Sequence, residues 1–195
     1  MKSEKDLPKR KRTRWENFDY STPSAYFLTI CTENRRNILS QIAGLETPDD
    51  HNNVGGDVLG APRGLDLLPF GKIADKYIRQ LNQFYDHVDV DQYVIMPNHI
   101  HIILFVLENG LPRTSSPTEE GGSPGTSTPT SKPTATVPLF VSTFKRFCNK
   151  EYGENIWQRG FYDHVIRNRN EYEEISRYIY ENPMRWYFDE LYSDQ

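Results

Sequence analysis

An α+β fold, an antiparallel sheet with helices packed on one face, is what this sequence predicts, and three observations carry the prediction. Runs such as SAYFLTICT (24–32) and HIHIILFV (99–106) are short, β-branched and aromatic, as strands are. Other segments carry apolar residues at helical spacing, with Ile73, Tyr77, Leu81 and Phe84 in one of them. The order of these segments is β, then αββα, then βα, which places alternating helices on an antiparallel sheet in a ferredoxin-like sandwich.

Taken in order, residues 24–32 open the sheet. ILSQI (38–42) and LDLLP (65–69) read as short strands flanking GLETPDDHNNVGGDVLGAPRG (44–64), a long loop or hairpin excursion. GKIADKYIRQLNQFYDH (71–87) follows as a helix. VDVDQYVIMP (88–97) alternates at Val88 and Val90 and then turns fully apolar, as a central strand does. After HIHIILFV comes the 109–136 insert, in which Gly, Pro, Ser and Thr fill 21 of 28 positions, too little apolar surface to order itself. PLFVSTFKRFCNKEYG (138–153) sets Phe140, Phe144, Phe147 and Cys148 on one helical face and ends at Gly153. IWQRGFYDHVIRN (156–168) contains a strand. NEYEEISRYIYENP (170–183) opens with an Asn170–Glu173 capping box and stops at Pro183. The expected organisation is a basic arm at 1–20 and a single domain at 21–192 that carries both inserts.

Composition narrows the function classes. A chain of 195 residues with 36% hydrophobic and 13% aromatic content suits one globular domain. No apolar run approaches the ~20 residues of a membrane span. The first residues hold no apolar stretch behind their charges, so a cytoplasmic location is expected. Cys31 and Cys148 are too few for a disulfide framework and read as buried thiols in a reducing compartment. The net charge of −4 hides an asymmetry: residues 44–64 supply −3 of it and residues 108–136 supply −1, so the remainder is neutral. Residues 1–14 set seven basic side chains against Glu4 and Asp6, an arm compatible with a nucleic-acid partner or with a solubilising tail.

The histidine pair is the chemical signal. Along a strand, side chains alternate, so His99 and His101 share a face with Ile103 and Phe105, while Ile100, Ile102 and Leu104 point into a core. Two imidazoles one strand repeat apart can converge on one metal ion, with open positions for a substrate oxygen. Two half-buried histidines satisfied by hydrogen bonds are the competing reading. In the last helix Tyr178 and Asn182 are four residues apart and share a face, beside an apolar stripe at Ile175 and Ile179 that would dock the helix on the sheet. A phenol there is a candidate nucleophile and an amide oxygen a candidate ligand, although Tyr178 is one of 12 tyrosines and Tyr172 and Tyr180 share its helix.

These motifs bring a family into view. His99-Ile100-His101 matches the histidine–hydrophobic–histidine (HUH) motif of single-strand nucleases, which relaxases and replication initiators also carry. YVIMPNHIHIILFV (93–106) with the later YIYENP (178–183) resembles the REP-associated tyrosine transposases, relatives of the single-tyrosine insertion-sequence transposases. FDYSTPSAYFLTICTENRR (18–36) resembles the family's opening strand, and residues 156–186 its closing block, so the likeness covers most of the chain. The resemblance implies an HUH nuclease fold, His99 and His101 as metal-binding residues, Asn182 completing the metal shell, Tyr178 as catalytic nucleophile, and Mg²⁺ or Mn²⁺ as the ion. Ligand softness by itself would not have chosen Mg²⁺ over Zn²⁺. The two long inserts depart from the minimal family pattern and remove none of these four residues.

The resemblance further implies cleavage and rejoining of single-stranded DNA through a 5′-phosphotyrosine, at palindromic hairpins. Candidate DNA contacts are Lys9, Arg10, Lys11, Arg12 and Arg14 in the arm, and Lys145, Arg146, Arg167, Arg169 and Arg177 in the body. A domesticated hairpin-binding protein without turnover, and a replication initiator or relaxase, are the alternatives. Only Arg169 and Asn170 separate the last strand from the tyrosine helix, which disfavours exchanging that helix between subunits and favours a monomer over a dimer.

Overall fold

The structure, a computed structural model, describes residues 22–42, 65–107 and 136–193. The arm, the 44–64 excursion and the 109–136 insert up to residue 135 lie outside the described residues. In chain order the elements are β1 (Ser24–Cys31), β2 (Ser40–Ile42), β3 (Leu65–Leu67), α1 (Pro69–Phe84), β4 (Val88–Ile95), β5 (His99–Val106), α2 (Thr136–Tyr152), β6 (Tyr162–Ile166) and α3 (Arg169–Glu181). A 3₁₀ segment, Asn182–Phe188, continues from α3.

Four strands form one sheet in the order β4-β5-β1-β6, with every neighbouring pair antiparallel. With α1 and α2 between them, this is the ferredoxin-like order that the alternation of strands and helices predicts. β2 and β3 pair with each other in a separate ribbon, consistent with short strands that flank an excursion.

The expectation of helices on one face holds for α1 and α2. They bury Ala74, Ile78, Leu81, Phe140, Val141, Phe144 and Cys148 against Tyr26, Leu28 and Ile30 of β1 and Ile100, Ile102 and Leu104 of β5. Phe147, expected on this buried face, is only partly buried and stacks on Tyr77, with ring centroids 5.5 Å apart. The third helix lies on the opposite face. There Ile179 and Trp186 pack with Val94, Met96, Ile103 and Ile166 in a second core. The histidine face of β5 is therefore not spare surface, as alternation by itself suggests: His99 is 0% exposed and His101 3%.

A β-bulge explains why β4 changes pattern partway. Val90 pairs with Leu104 and Gln92 with Ile103, leaving Asp91 as the extra residue. Before it, Val88 and Val90 pack on the α1–α2 core. After it, Tyr93 and Ile95 take that face, and Val94 turns toward the histidines. The bulge also aims polar groups at α3: the Tyr172 hydroxyl donates to Asp91 Oδ2 at 2.7 Å and the Ser176 hydroxyl to Gln92 Oε1 at 2.9 Å.

The helix cap differs from the expected one. Asn-x-x-Glu occurs twice in overlapping register, and the first copy caps α3: Asn168 Oδ1 accepts from the Glu171 N–H at 3.0 Å, not Asn170 from Glu173. The earlier start is fixed because Glu171 also accepts from the Arg167 N–H and meets His164 of β6 at 2.6 Å. The two linking residues are thus Arg167 and Asn168, and Arg169 belongs to the helix.

Candidate active site

Strand register builds the floor of the site. Val94, His101, Thr29 and Tyr162 lie in one row across all four strands, and His99 pairs with Cys31 one step further along. α3 and the 3₁₀ segment form the roof, because Ile179 and Trp186 anchor them beside the histidines. Between floor and roof is a cleft of about 800 Å³. Phe27, Tyr162 and Phe188 give it aromatic walls, and Arg35, Arg177 and Arg185 line it together with Glu174, Glu181, Asp189 and Glu190, Arg185 being paired with Glu181 at 3.0 Å.

Both imidazoles are neutral. Burial, then the charge of Arg35, pushes His99 down to about 3. Burial, then His99, pushes His101 well below the usual histidine value, partly opposed by Asp189 and by a backbone hydrogen bond at Leu28. Their second nitrogens are held: His99 Nδ1 is 2.8 Å from Asn98 Oδ1, and His101 Nδ1 is 2.9 Å from the Thr29 hydroxyl. The Asn98 oxygen can only accept, so the proton of His99 is on Nδ1 and its Nε2 carries a lone pair. His101 Nε2 lies 3.0 Å from that lone pair and can donate to it when the Thr29 hydroxyl donates to His101 Nδ1, so the two ring nitrogens converge on one point. Neutral imidazole nitrogens that converge in this way could serve as ligands to one metal ion.

Tyr178 and Asn182 are brought to this pair, as their helical spacing predicts. The Tyr178 hydroxyl is 3.2 Å from His101 Nε2 and also donates to Asp189 Oδ2 at 3.2 Å. Its ring meets that of His101 at 5.2 Å and the edge of Phe27 at 6.1 Å. Burial, then the Asp189 carboxylate, raises the phenol well above the ordinary tyrosine value. Asn182 is 2% exposed; its Nδ2 donates to Asp189 Oδ2 at 2.6 Å, while its buried Oδ1 has no hydrogen-bond partner. A buried acceptor left unpaired costs about 1–3 kcal/mol, which a cation bound at that oxygen could offset.

Asp189 carries no signal in the sequence, yet it is central here. Ligand atoms of His99, His101 and Asp189 all lie within 4.8 Å of one another, a group that could hold a metal ion. Asn98 and Arg35 are likewise seen only in three dimensions. Asn98 could be suspected from its place before His99; Asp189 and Arg35 could not.

The structure spreads the expected DNA contacts over several places. Arg177 lines the cleft. Arg169 pairs with Glu173 at 2.8 Å on the exposed start of α3, close to Arg167. Lys145 and Arg146 line a different cavity, with Arg159 and Trp157. The Lys145 ammonium donates to the carbonyls of Gln158 (2.7 Å) and Gly160 (2.6 Å), and burial lowers it to about 8, so it braces a loop. The five arm residues from Lys9 to Arg14 lie outside the described residues.

This structure is similar to that of a REP-associated tyrosine transposase bound to a REP hairpin. The TM-score is 0.49 and the identity 19%, over 88% of this chain and 73% of the other. A provisionally assigned transposase from Deinococcus radiodurans aligns with a TM-score of 0.36 and 14% identity, over 87% and 98% of the two chains. An uncharacterised protein of Haemophilus influenzae is 26% identical over 190 residues, 95% of this chain and 94% of its own length. No family model matches the chain. Likeness at these levels assigns no role to any residue; the chemistry is carried by the cleft itself. Among the described residues no helix is long and apolar enough to cross a membrane.

Proposed function

We propose that this chain is a metal-dependent transposase of the HUH type that cleaves and rejoins single-stranded DNA at hairpin repeats, with Tyr178 as nucleophile. One observation supports the reading above the others: a phenol and two buried imidazoles from distant parts of the sequence meet beside a carboxylate that also accepts from the Asn182 amide. His99, His101, Asn182 and Asp189 would hold the divalent ion, Mg²⁺ or Mn²⁺. The bound ion would supply charge neutralisation at the scissile phosphate and at the carboxylate beside the nucleophile.

In this reading the Tyr178 hydroxyl gives its proton to Asp189 Oδ2, its present hydrogen-bond acceptor, and the phenolate oxygen forms a bond to phosphorus. The bond from phosphorus to the 3′ oxygen breaks, and that oxygen takes a proton from solvent to leave as a 3′-OH. The product is a 5′-phosphotyrosine that keeps the phosphodiester energy for rejoining by another 3′-OH. Phe27, Tyr162 and Phe188 offer stacking faces to unpaired bases, and Arg35, Arg177 and Arg185 can meet phosphates. All five proposed key residues come from one chain, which suits a monomer.

The carboxylate that accepts this proton also opposes ionisation of the phenol, so hairpin binding without turnover is the second reading, favoured when no cation is present. Incubation with labelled single-stranded hairpin oligonucleotides, with Mn²⁺ or EDTA, separates the two. A denaturation-resistant protein–DNA adduct that needs Mn²⁺ and vanishes in Tyr178→Phe is the expected outcome. An adduct that persists in Tyr178→Phe refutes the assignment of the nucleophile, and tight binding with no adduct in Mn²⁺ favours the second reading.

A further inference from the structure

Asn98 stands where the histidine strand meets the end of the described chain, and its buried amide serves both. Its Oδ1 accepts from His99 Nδ1 at 2.8 Å. Its Nδ2 donates to the Leu191 carbonyl at 2.8 Å and lies 3.2 Å from Ser193 Oγ and 3.4 Å from the Arg35 carbonyl. The peptide of Leu191 is held at its other end as well, because its N–H donates to Asp189 Oδ1 at 2.7 Å. The other oxygen of Asp189 meets Tyr178 and Asn182. One chain of contacts thus runs from the His99 ring through Asn98 and Leu191 to the Asp189 carboxylate.

We infer that Asn98 is a positioning residue with two tasks: it fixes the His99 tautomer that leaves Nε2 free, and it docks the segment Asp189–Ser193 so that the Asp189 carboxylate reaches the histidines. The inference rests on the metal reading above and extends it to a residue that does not itself touch the ion. Only an amide fits both tasks, since the ring needs an acceptor and the Leu191 carbonyl needs a donor. The main chain at 98 is held separately: its carbonyl accepts from the Thr32 N–H at 2.9 Å and the Thr32 hydroxyl at 3.0 Å. A change of side chain therefore leaves the turn between β4 and β5 its own support. Residues that orient a metal ligand typically contribute 10–100-fold to metal affinity.

The two tasks can be separated by substitution. Asn98→Asp keeps the acceptor for His99 and loses the donor for Leu191; Asn98→Ala loses both. Mn²⁺ affinity is measured calorimetrically on the full chain without DNA, His99 protonation by ¹⁵N NMR, and docking of the segment by hydrogen exchange at the Leu191 amide. Asn98→Ala is expected to weaken Mn²⁺ binding ten- to a hundredfold and to give a mixed His99 tautomer. Asn98→Asp is expected to keep the Nδ1–H tautomer while speeding Leu191 exchange. In the double variant Asn98→Ala/Asp189→Asn, the losses should fall short of the product of the single losses, because both act through one carboxylate.

Wild-type Mn²⁺ affinity in Asn98→Ala, independent losses in the double variant, or unchanged Leu191 exchange in Asn98→Asp would overturn the inference alone. Absence of Mn²⁺ binding by the wild-type chain would overturn it together with the metal reading. Where Asn98→Ala does not fold, Asn98→Asp decides by exchange and tautomer.

Discussion

Asn182→Asp tests whether the site is built around an absent positive charge. In the wild type, Asn182 Nδ2 donates to Asp189 Oδ2 at 2.6 Å, so the substitution sets two carboxylates against each other in a position only 2% exposed. The lost hydrogen bond to a charged group costs about 1.5–3 kcal/mol. Like-charge repulsion adds roughly 1–4 kcal/mol between the aqueous and protein-like limits of the dielectric response. A chain of this size loses about 2–4 °C of Tm per kcal/mol, so Tm in EDTA should fall by roughly 5–28 °C. A carboxyl at 182 would have its folded pKa raised. Its penalty is therefore absent below the unfolded value near 4 and develops as pH rises from there toward the folded value. Saturating Mn²⁺ should raise Tm more in the variant than in the wild type, since occupancy at a hundredfold excess over Kd is worth about 2.7 kcal/mol before any gain from the extra charge. Thermal melts in EDTA and in Mn²⁺, at pH 5 and pH 8, measure all of this. A variant that melts like the wild type in EDTA and gains no more from Mn²⁺ would refute the placement of Asn182 and Asp189 around one ion.

Lowering the pH should destabilise the wild type. His99, held near 3, and His101, also depressed, favour the fold above the unfolded histidine value near 6.5 and lose that contribution as pH falls below it, by about 1.4 kcal/mol per pH unit for each proton taken up. His99→Gln should flatten the fall of Tm between pH 7 and pH 5. Gly71→Ala should cost stability, because a Cβ there would collide with the main-chain carbonyl of Leu39, whereas Gly160→Ala meets nothing within 4 Å and should be neutral by the same melts. Deleting residues 2–12 should weaken hairpin binding and reduce its salt slope; an unchanged slope would remove the arm from the DNA interface. Lys145→Met should lower Tm through its two carbonyl contacts while leaving that slope unchanged.

The parts legible in the sequence are those written in local periodicity. Period-2 alternation put His99 and His101 on one face, and the i, i+4 spacing put Tyr178 and Asn182 on another, so juxtaposing one strand with one helix sufficed to gather them. What alternation could not show was the far side of the sheet. A second core of Ile103, Ile179 and Trp186 covers the histidine face, and its members are apolar residues that would serve equally well in the first. The bulge at Asp91 was hidden for a related reason: an extra residue reverses which side chains face the core without changing the apolar run. Asp189 lies beyond the last periodic segment, delivered by a 3₁₀ stretch whose own backbone breaks helical geometry at Arg185.

That late arrival bears on how the centre works. With Tyr178 and Asn182 both donating to one oxygen of Asp189, the cleft holds a carboxylate within reach of the Tyr178 phenol and of both histidines. Four acidic side chains against three arginines make the cleft a poor host for a phosphodiester by charge alone. The same excess makes it a good host for a divalent cation, and the cation in turn makes the phosphate welcome. Under the proposed function, nucleophile activation, phosphate binding and fold stability at this site would be consequences of one occupancy. They should appear together over one range of Mn²⁺ concentration in melts, hairpin binding and adduct formation. Three well-separated midpoints would mean that these are separate sites that merely adjoin.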